Sequence, residues 1–146
     1  MSRSIYAIYC DDIRHEVNGK TTLVGVYAGK LLVGSFPASL SKLCVVLNLT
    51  TPIDDPFQEV SVVGKLSGQE VFQLNVGKEE MAEYNKKIDE LKGESKFIDM
   101  QMASIMSPIQ IDKPGVLSLE VLVNGEPVPC RPLDIGQAQP GQIVSQ

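Results

Sequence analysis

The densest group of chemically capable side chains lies near the N-terminus, where three carboxylates and the only imidazole of the chain fall within six residues. Carboxylate and imidazole groups bind divalent cations and perform acid–base chemistry. On an extended strand, however, adjacent side chains point to opposite faces, so few of these groups converge. A small metal-dependent enzyme built on this cluster is therefore the alternative hypothesis. The cluster consists of Asp11, Asp12, His15 and Glu16.

A structural role is the leading expectation for the same residues. Asp12 lies two positions before Arg14, and we expect these side chains to pair and to fix a strand end. His15 and Glu16 are then expected on a solvated arm of a hairpin. Under this interpretation the cluster performs no chemistry.

The three cysteines, Cys10, Cys44 and Cys130, each lie in an apolar stretch and cannot all pair within one chain. Free cysteine behaves as a small buried hydrophobe and is typical of reducing compartments. We therefore predict three reduced structural thiols in a cytoplasmic protein. A nucleophilic cysteine needs a base, and the only histidine, His15, lies among acidic and polar residues, so we do not expect a Cys–His nucleophile. No CxxC or HxxxH spacing is present, so we expect no structural zinc site. We predict no catalytic residue, no metal ligand and no cofactor.

The amino-acid composition argues against nucleic acid and membranes as partners. The chain has 146 residues, 13 basic and 18 acidic, with a net charge of -5 and no run of Lys or Arg. A nucleic-acid binder needs a basic face, and a membrane span needs about 20 apolar residues, and neither is present. The N-terminus also lacks the pattern of a signal peptide. The predicted partner is another protein, not nucleic acid or a membrane, and a homo-oligomer is compatible with these data.

Alternation with a period of two predicts strands over most of the chain. About eight short strands separated by turn signals favour an antiparallel, immunoglobulin-like β-sandwich of two sheets. We assign residues 1–135 to this single domain and the Gly-, Gln- and Pro-rich residues 136–146 to a flexible tail. The predicted strands are 4–12, 21–33, 43–50, 57–66, 70–76, 97–111, 117–123 and 128–135.

Glycines mark the predicted turns and irregularities. Asn18-Gly19 and Asn124-Gly125 each predict a two-residue hairpin turn, because both central positions of such a turn need positive φ. Gly25 and Gly29 interrupt a strand pattern and predict a bulge or a close backbone contact.

The spacing of apolar residues predicts one helix, over residues 78–92, inserted between two strands. An apolar stripe at helical spacing is expected to face a sheet, and alternating methionines on the next strand are expected to pack in the same layer. The stripe is Met81, Tyr84, Ile88 and Leu91, and the methionines are Met100, Met102 and Met106. The outward face is the candidate interaction surface, formed by Glu79, Glu83, Lys86, Lys87 and Glu90. An exposed sheet edge is the competing site.

Two stretches carry a resemblance to a known family. The first comprises residues 9–14, Glu16, and residues 18–20 and 23–27, and the second comprises residues 112–115 and 117–126. Together they resemble a family of small bacterial and phage-associated proteins known only as a domain of unknown function, over residues 5–135. The resemblance implies a single immunoglobulin-like sandwich. It implies no activity and therefore no catalytic residue.

The leading hypothesis for function is a non-catalytic protein-binding or assembly module, with a phage or prophage association as one form of it. Absence of a convergent catalytic set, an acidic composition and the common use of such sandwiches in recognition favour it. The chain is accordingly expected not to be an enzyme.

Overall fold

The computed structural model describes residues 3–91, 93 and 96–141. Within these residues the chain forms twelve strands and one α-helix. The N-terminal strands are β1 (Ser4–His15), β2 (Thr21–Tyr27), β3 (Lys30–Val33), β4 (Ala38–Leu40), β5 (Leu43–Pro52), β6 (Val60–Leu66) and β7 (Gln69–Val76). They are followed by α1 (Lys78–Leu91), β8 (Phe97–Met106), β9 (Ile109–Ile111), β10 (Gly115–Val123), β11 (Glu126–Val128) and β12 (Leu133–Gln137).

Two larger sheets and one small sheet organise these strands. The four-stranded sheet has the order β2-β1-β5-β8 and is antiparallel throughout. The larger sheet has the order β3-β12-β10-β6-β7, with β11 added beside β10, and β4 pairs with β9. The predicted mainly β class is confirmed. An entirely antiparallel arrangement is wrong, because β12 pairs with β3 in parallel. These two strands are distant in sequence, so no hairpin imposes opposite directions on them.

One hydrophobic core is shared by the two larger sheets. Alternate residues of each strand point into it, as period-two patterning requires. Val45 and Leu47 of β5 belong to the same core cluster as Val62 and Leu117 of the other sheet, and all four are fully buried. Fully burying such a side chain stabilises the fold by about 1.5–3 kcal/mol. The two sheets are therefore held together mainly by this apolar layer.

The structure divides the chain into more strands than the predicted eight. The predicted strand 21–33 is interrupted where Gly29 takes φ of +89°. The predicted strand 97–111 ends at Met106, before Pro108, whose nitrogen carries no hydrogen for a ladder bond. The predicted loop 34–42 contains the three-residue strand β4, since tertiary pairing with β9 organises it.

The two Asn-Gly turns differ. At Asn124-Gly125 the φ angles are +53° and +81°, and Val123 pairs directly with Glu126, so the predicted two-residue turn is confirmed. At Asn18-Gly19 both φ angles are also positive, but strand pairing stops at His15 and Thr21. The predicted two-residue loop is therefore wrong there. The Glu16 nitrogen donates to the Lys20 carbonyl and closes a longer connection.

Helix α1 lies where its apolar stripe predicts. Met81 is fully buried, while Tyr84 and Ile88 are half-buried and pack against the shared core. The side chain of Leu91 lies outside the described residues. Asn85 donates to the Phe57 carbonyl at 2.7 Å. The helix is thus packed on the protein by one apolar face and polar anchors beside it.

The methionines of the following strand contribute to the same core. Met106 is buried, and Met100 and Met102 are partly buried against the core that contains Met81. The four methionines therefore share one hydrophobic core; that they form the layer between helix and sheet stays a prediction. Their unbranched side chains suit the irregular space between a helix and a sheet.

The predicted tail begins inside a strand. Gly136 and Gln137 belong to β12, and the Ala138 nitrogen donates to the Val33 carbonyl at 2.8 Å. Strand β12 thus extends two residues past residue 135, because pairing with β3 orders a polar, Gly-containing segment. Residues 142–146 of the predicted tail lie outside the described residues.

The positive φ of the second Asn-Gly turn provides a test of the hairpin. A Cβ at Gly125 would meet no atom within 4 Å, so Gly125→Ala tests backbone strain alone. We expect the free energy of unfolding to fall by about 1–2 kcal/mol. Gly34→Ala is the matched control, because that site is equally open and lacks a positive φ. Equal urea-denaturation midpoints for the two variants would contradict this explanation.

The packing of α1 gives a second prediction. Met81→Ala removes a fully buried side chain and is expected to lower the free energy of unfolding by about 2–5 kcal/mol. Glu83→Ala, on the exposed face of the same helix, should change it by less than about 0.5 kcal/mol. Chemical denaturation measures both. A silent Met81→Ala variant would show that the helix does not pack where it is described.

Candidate functional site

The four residues of the N-terminal acidic cluster do not converge. Asp11 accepts a hydrogen bond from the Tyr27 hydroxyl, whereas Asp12 accepts one from Lys42 Nζ at 2.9 Å. His15 is exposed at the end of β1 and Glu16 is exposed in the following turn. Among the described residues, no three His, Cys, Asp or Glu side chains are grouped as a metal site would require. The strand separates these side chains, as its alternation predicts.

The predicted ion pair between Asp12 and Arg14 is wrong. Asp12 pairs instead with Lys42, which precedes the neighbouring strand β5, and β1 continues to His15 beyond it. The hydrogen bond from Lys42 holds the pKa of the Asp12 carboxyl below its ordinary value, and Asp12 in turn raises the pKa of Lys42. Both side chains are substantially exposed, so this pair fastens two strands and contributes little to stability.

Asp11 is positioned by the irregularity that Gly25 introduces. Gly25 takes φ of +69°, and a Cβ there would overlap the Asp11 carboxylate. The missing side chain therefore leaves room for the carboxylate to lie over the neighbouring strand and to reach Tyr27. The predicted close backbone contact at Gly25 is confirmed. The Asp11 carboxylate thus links β1 to β2 through its hydrogen bond with Tyr27.

Cys10 and Cys44 are directly opposite each other on β1 and β5, and both are fully buried. Burial, and secondarily the adjacent Cys44, raises the pKa of Cys10 to about 11. Burial likewise raises the pKa of Cys44 and of Cys130. All three cysteines are free thiols in the structure. Protonated thiols are weak nucleophiles, so this environment favours a packing role for them.

The pair of cysteines belongs to the face of the four-stranded sheet that points away from the shared core. Directly opposed residues of antiparallel strands share a face, so the register defines cross-strand rows. One row runs Val26, Cys10, Cys44, Ile105, the next runs Ile8, Val46, Ala103, and the third runs Tyr6, Asn48, Gln101. We call these ten residues the outer face. None of them is charged.

The outer face is buried at its centre and open at its margins. Cys10, Cys44 and Val46 form a second hydrophobic cluster, with Ile8, Ile13 and Leu23 packed against it. By contrast, Tyr6 and Val26 are each 58% exposed and Ile105 is 53% exposed. No described part of the chain therefore covers these margins. An apolar sheet face left open to water is a typical protein-interaction surface.

The surface predicted from the sequence, on α1, has a different character. Glu79, Glu83, Lys86, Lys87 and Glu90 are all exposed, as predicted. They are of mixed charge, and water solvates such a face well. Whether they bind a partner remains a prediction.

A groove of about 570 Å³ lies on the larger sheet, beside the Pro-rich segment that follows β11. Its apolar lining includes Val63, Leu122, Pro129 and Cys130. Glu120 also lines it, and its carboxylate is paired with Lys65 at 3.1 Å. This groove offers apolar contact and no activated nucleophile.

The outer face was not singled out as a candidate site by the sequence analysis. Its one available signal was that even-numbered residues of β5 near Cys44 and Val46 are as apolar as the odd-numbered ones. A strand with one solvated face alternates, whereas β5 does not. The sequence of β5 does not show, however, that β1 and β8 are the strands beside it.

Over the described residues, these features define a mainly β protein with one helix and an open apolar sheet face. A model of a family of unknown function (DUF6941) matches residues 5–136, and the chain belongs to this family. The resemblance to a family of unknown function is thereby confirmed. No curated protein matches the chain. In the described part of the chain, no helix combines the length and the apolar character needed to cross a membrane.

The burial of the thiols predicts an order of reactivity. At neutral pH, Cys130 is half-buried and should react first with a thiol reagent, while Cys10 and Cys44 should stay unmodified until the protein unfolds. Mass spectrometry of peptides from timed samples measures this order. Rapid labelling of Cys44 in folded protein, or a Cys10–Cys44 disulfide in protein prepared without oxidant, would contradict it.

Proposed function

We propose that this protein is a non-catalytic protein-binding or assembly module that contacts its partner through the outer face. The observation that carries the proposal is the row from Val26 to Ile105, which is apolar across all four strands and exposed at both ends. Fully burying a Val or Ile side chain contributes about 1.5–3 kcal/mol, and roughly half of that gain is still available at each margin. The complex with a partner that covers the outer face would be stabilised by burying the exposed parts of these side chains.

The absence of charge on the outer face specifies the chemistry of the partner. The chain carries 18 acidic and 13 basic residues, yet the ten outer-face residues include none of either. Desolvating this face therefore incurs no cost for burying an unpaired ion. Tyr6, Asn48 and Gln101 form its polar border, where Gln101 Nε2 donates to Asn48 Oδ1 at 3.2 Å. The matching surface is apolar at its centre with hydrogen-bonding groups on one side.

Several finer predictions accompany this proposal. We infer an immunoglobulin-like sandwich from the two sheets that share a core, a scaffold often used for recognition. The phage or prophage association and the cytoplasmic location stay predictions. The alternative, a metal-dependent enzyme at Asp11, Asp12, His15 and Glu16, gains no support from carboxylates that already bind Tyr27 and Lys42.

Affinity purification from the native cell with matched variants tests the proposal. Val26→Lys places a charge on the margin of the outer face, and we expect the co-purifying partner to be lost. Val17→Lys is the matched control, because Val17 is 76% exposed in the turn after β1. Circular dichroism should show both variants folded, since neither valine is buried.

A charge-reversal variant of the helix distinguishes the other candidate surface. Glu83→Lys combined with Lys87→Glu changes the exposed face of α1 without touching the outer face. Retention of the partner by this variant, with loss in Val26→Lys, supports the outer face. The reverse pattern would overturn the proposal in favour of the helix.

A further inference from the structure

The free edge of β8 is a second interaction surface with its own chemistry. β8 is the last strand of the four-stranded sheet, and it pairs with β5 without interruption from Phe97 to Met106. Its other side has no partner strand in the described sheets. A terminal strand presents N–H and C=O groups that can accept another extended segment.

Two hydrogen bonds establish which residues of β8 direct their backbone to that edge. The Lys96 carbonyl accepts from the Ile53 nitrogen, so an even-numbered residue faces the side of β5. The Asp99 carbonyl accepts from the Tyr84 hydroxyl of α1, so an odd-numbered residue faces away from it. Backbone groups alternate along an antiparallel strand. Gln101, Ala103 and Ile105 therefore present their N–H and C=O groups to the free edge.

The other edges of the two larger sheets carry features that hinder strand addition. β2 contains Gly25 in a left-handed conformation, and β3 has only four residues. β7 carries Glu70 beside an irregular register with β6 at Gly64/Lys65. In contrast, residues 100–106 of β8 contain no charge, no Pro and no Gly. The helix contacts this edge at Asp99, through the Tyr84 hydroxyl, and β7 of the other sheet also lies close to β8.

We propose that β8 pairs antiparallel with β8 of a second copy of this chain, about a twofold axis at Ala103. The two four-stranded sheets then form one continuous sheet, with the smallest side chain of the segment at the axis. Three hydrogen-bonded residue pairs, formed by Gln101, Ala103 and Ile105 with their counterparts, exchange about six backbone hydrogen bonds.

The sequence of β8 is self-complementary in this register. Met100 lies opposite Met106 of the second copy, and Met102 lies opposite Ser104, so inward-facing residues extend the core layer of each copy. Gln101 lies opposite Ile105 on the outer side. No charge meets a like charge. Because the whole chain is acidic, with a net charge of -5, two copies repel each other least where the facing surfaces carry no charge.

This dimer goes beyond the proposed function, because it uses the edge of β8 and not the partner that covers the outer face. Val26, the position changed in the test of the outer face, lies on the opposite edge strand β2. The Val26→Lys variant should therefore lose its partner and still dimerise. Each proposal can fail without the other.

Sedimentation analysis of the full chain over a concentration series tests the dimer. The wild type should approach twice the monomer mass of 15.9 kDa. Ala103→Lys and Ala103→Asp each place like charges at the twofold axis and should stay at the monomer mass. An equimolar mixture of these two variants should recover the dimer, because opposite charges then meet. Gln73→Lys, an exposed change on the edge strand β7, is the matched control and should dimerise.

Hydrogen exchange gives a readout that does not depend on the variants folding. In the wild type, the amides of Gln101, Ala103 and Ile105 should gain protection as concentration rises, while those of β7 should not. A wild type that stays monomeric throughout the series would overturn the proposal. So would a dimer that survives in both charged variants, or a mixture of the two that fails to associate.

Discussion

Strand β5 is buried on both of its faces, and the rest of the structure depends on this constraint. Leu43, Val45, Leu47 and Leu49 point into the shared core, and Cys44 and Val46 point to the outer face; all six are essentially inaccessible to water. A strand of this kind needs a partner on each side to satisfy its backbone. β1 and β8 provide them over long, regular registers. The position of β5 at the centre of the sheet is therefore obligatory.

The central strand also explains why a second apolar cluster forms without a second layer of structure. Cys10, Cys44 and Val46 are small, so larger neighbours such as Ile8, Ile13 and Leu23 can enclose them. That enclosure ends at the margins, where Val26 and Ile105 have no further strand beside them. The same geometry that buries the thiols and raises the pKa of Cys10 leaves an uncharged face and an unpaired edge at the surface.

Charged residues in and beside the four-stranded sheet form hydrogen bonds that link neighbouring strands. Lys42 joins the start of β5 to β1 through Asp12, and the carboxylate of Asp11 joins β1 to β2 through Tyr27. The turn residue Asn124 has a comparable role on the other sheet, because its side chain accepts hydrogen bonds from the nitrogens of Gln58 and Glu59. These polar contacts specify position, while the apolar core provides most of the stability.

The sequence by itself determined the mainly β class, the position of α1 with Met81 and Ile88 inward, and the positive φ angles at both Asn-Gly turns. These properties follow from local periodicity and from backbone sterics, which a few neighbouring residues decide. Only the tertiary structure decided that Asp12 pairs with Lys42, that β12 runs parallel to β3, and that Val26, Cys10, Cys44 and Ile105 form one row. Each of those joins residues far apart in the chain, and register between distant strands depends on how the whole core packs.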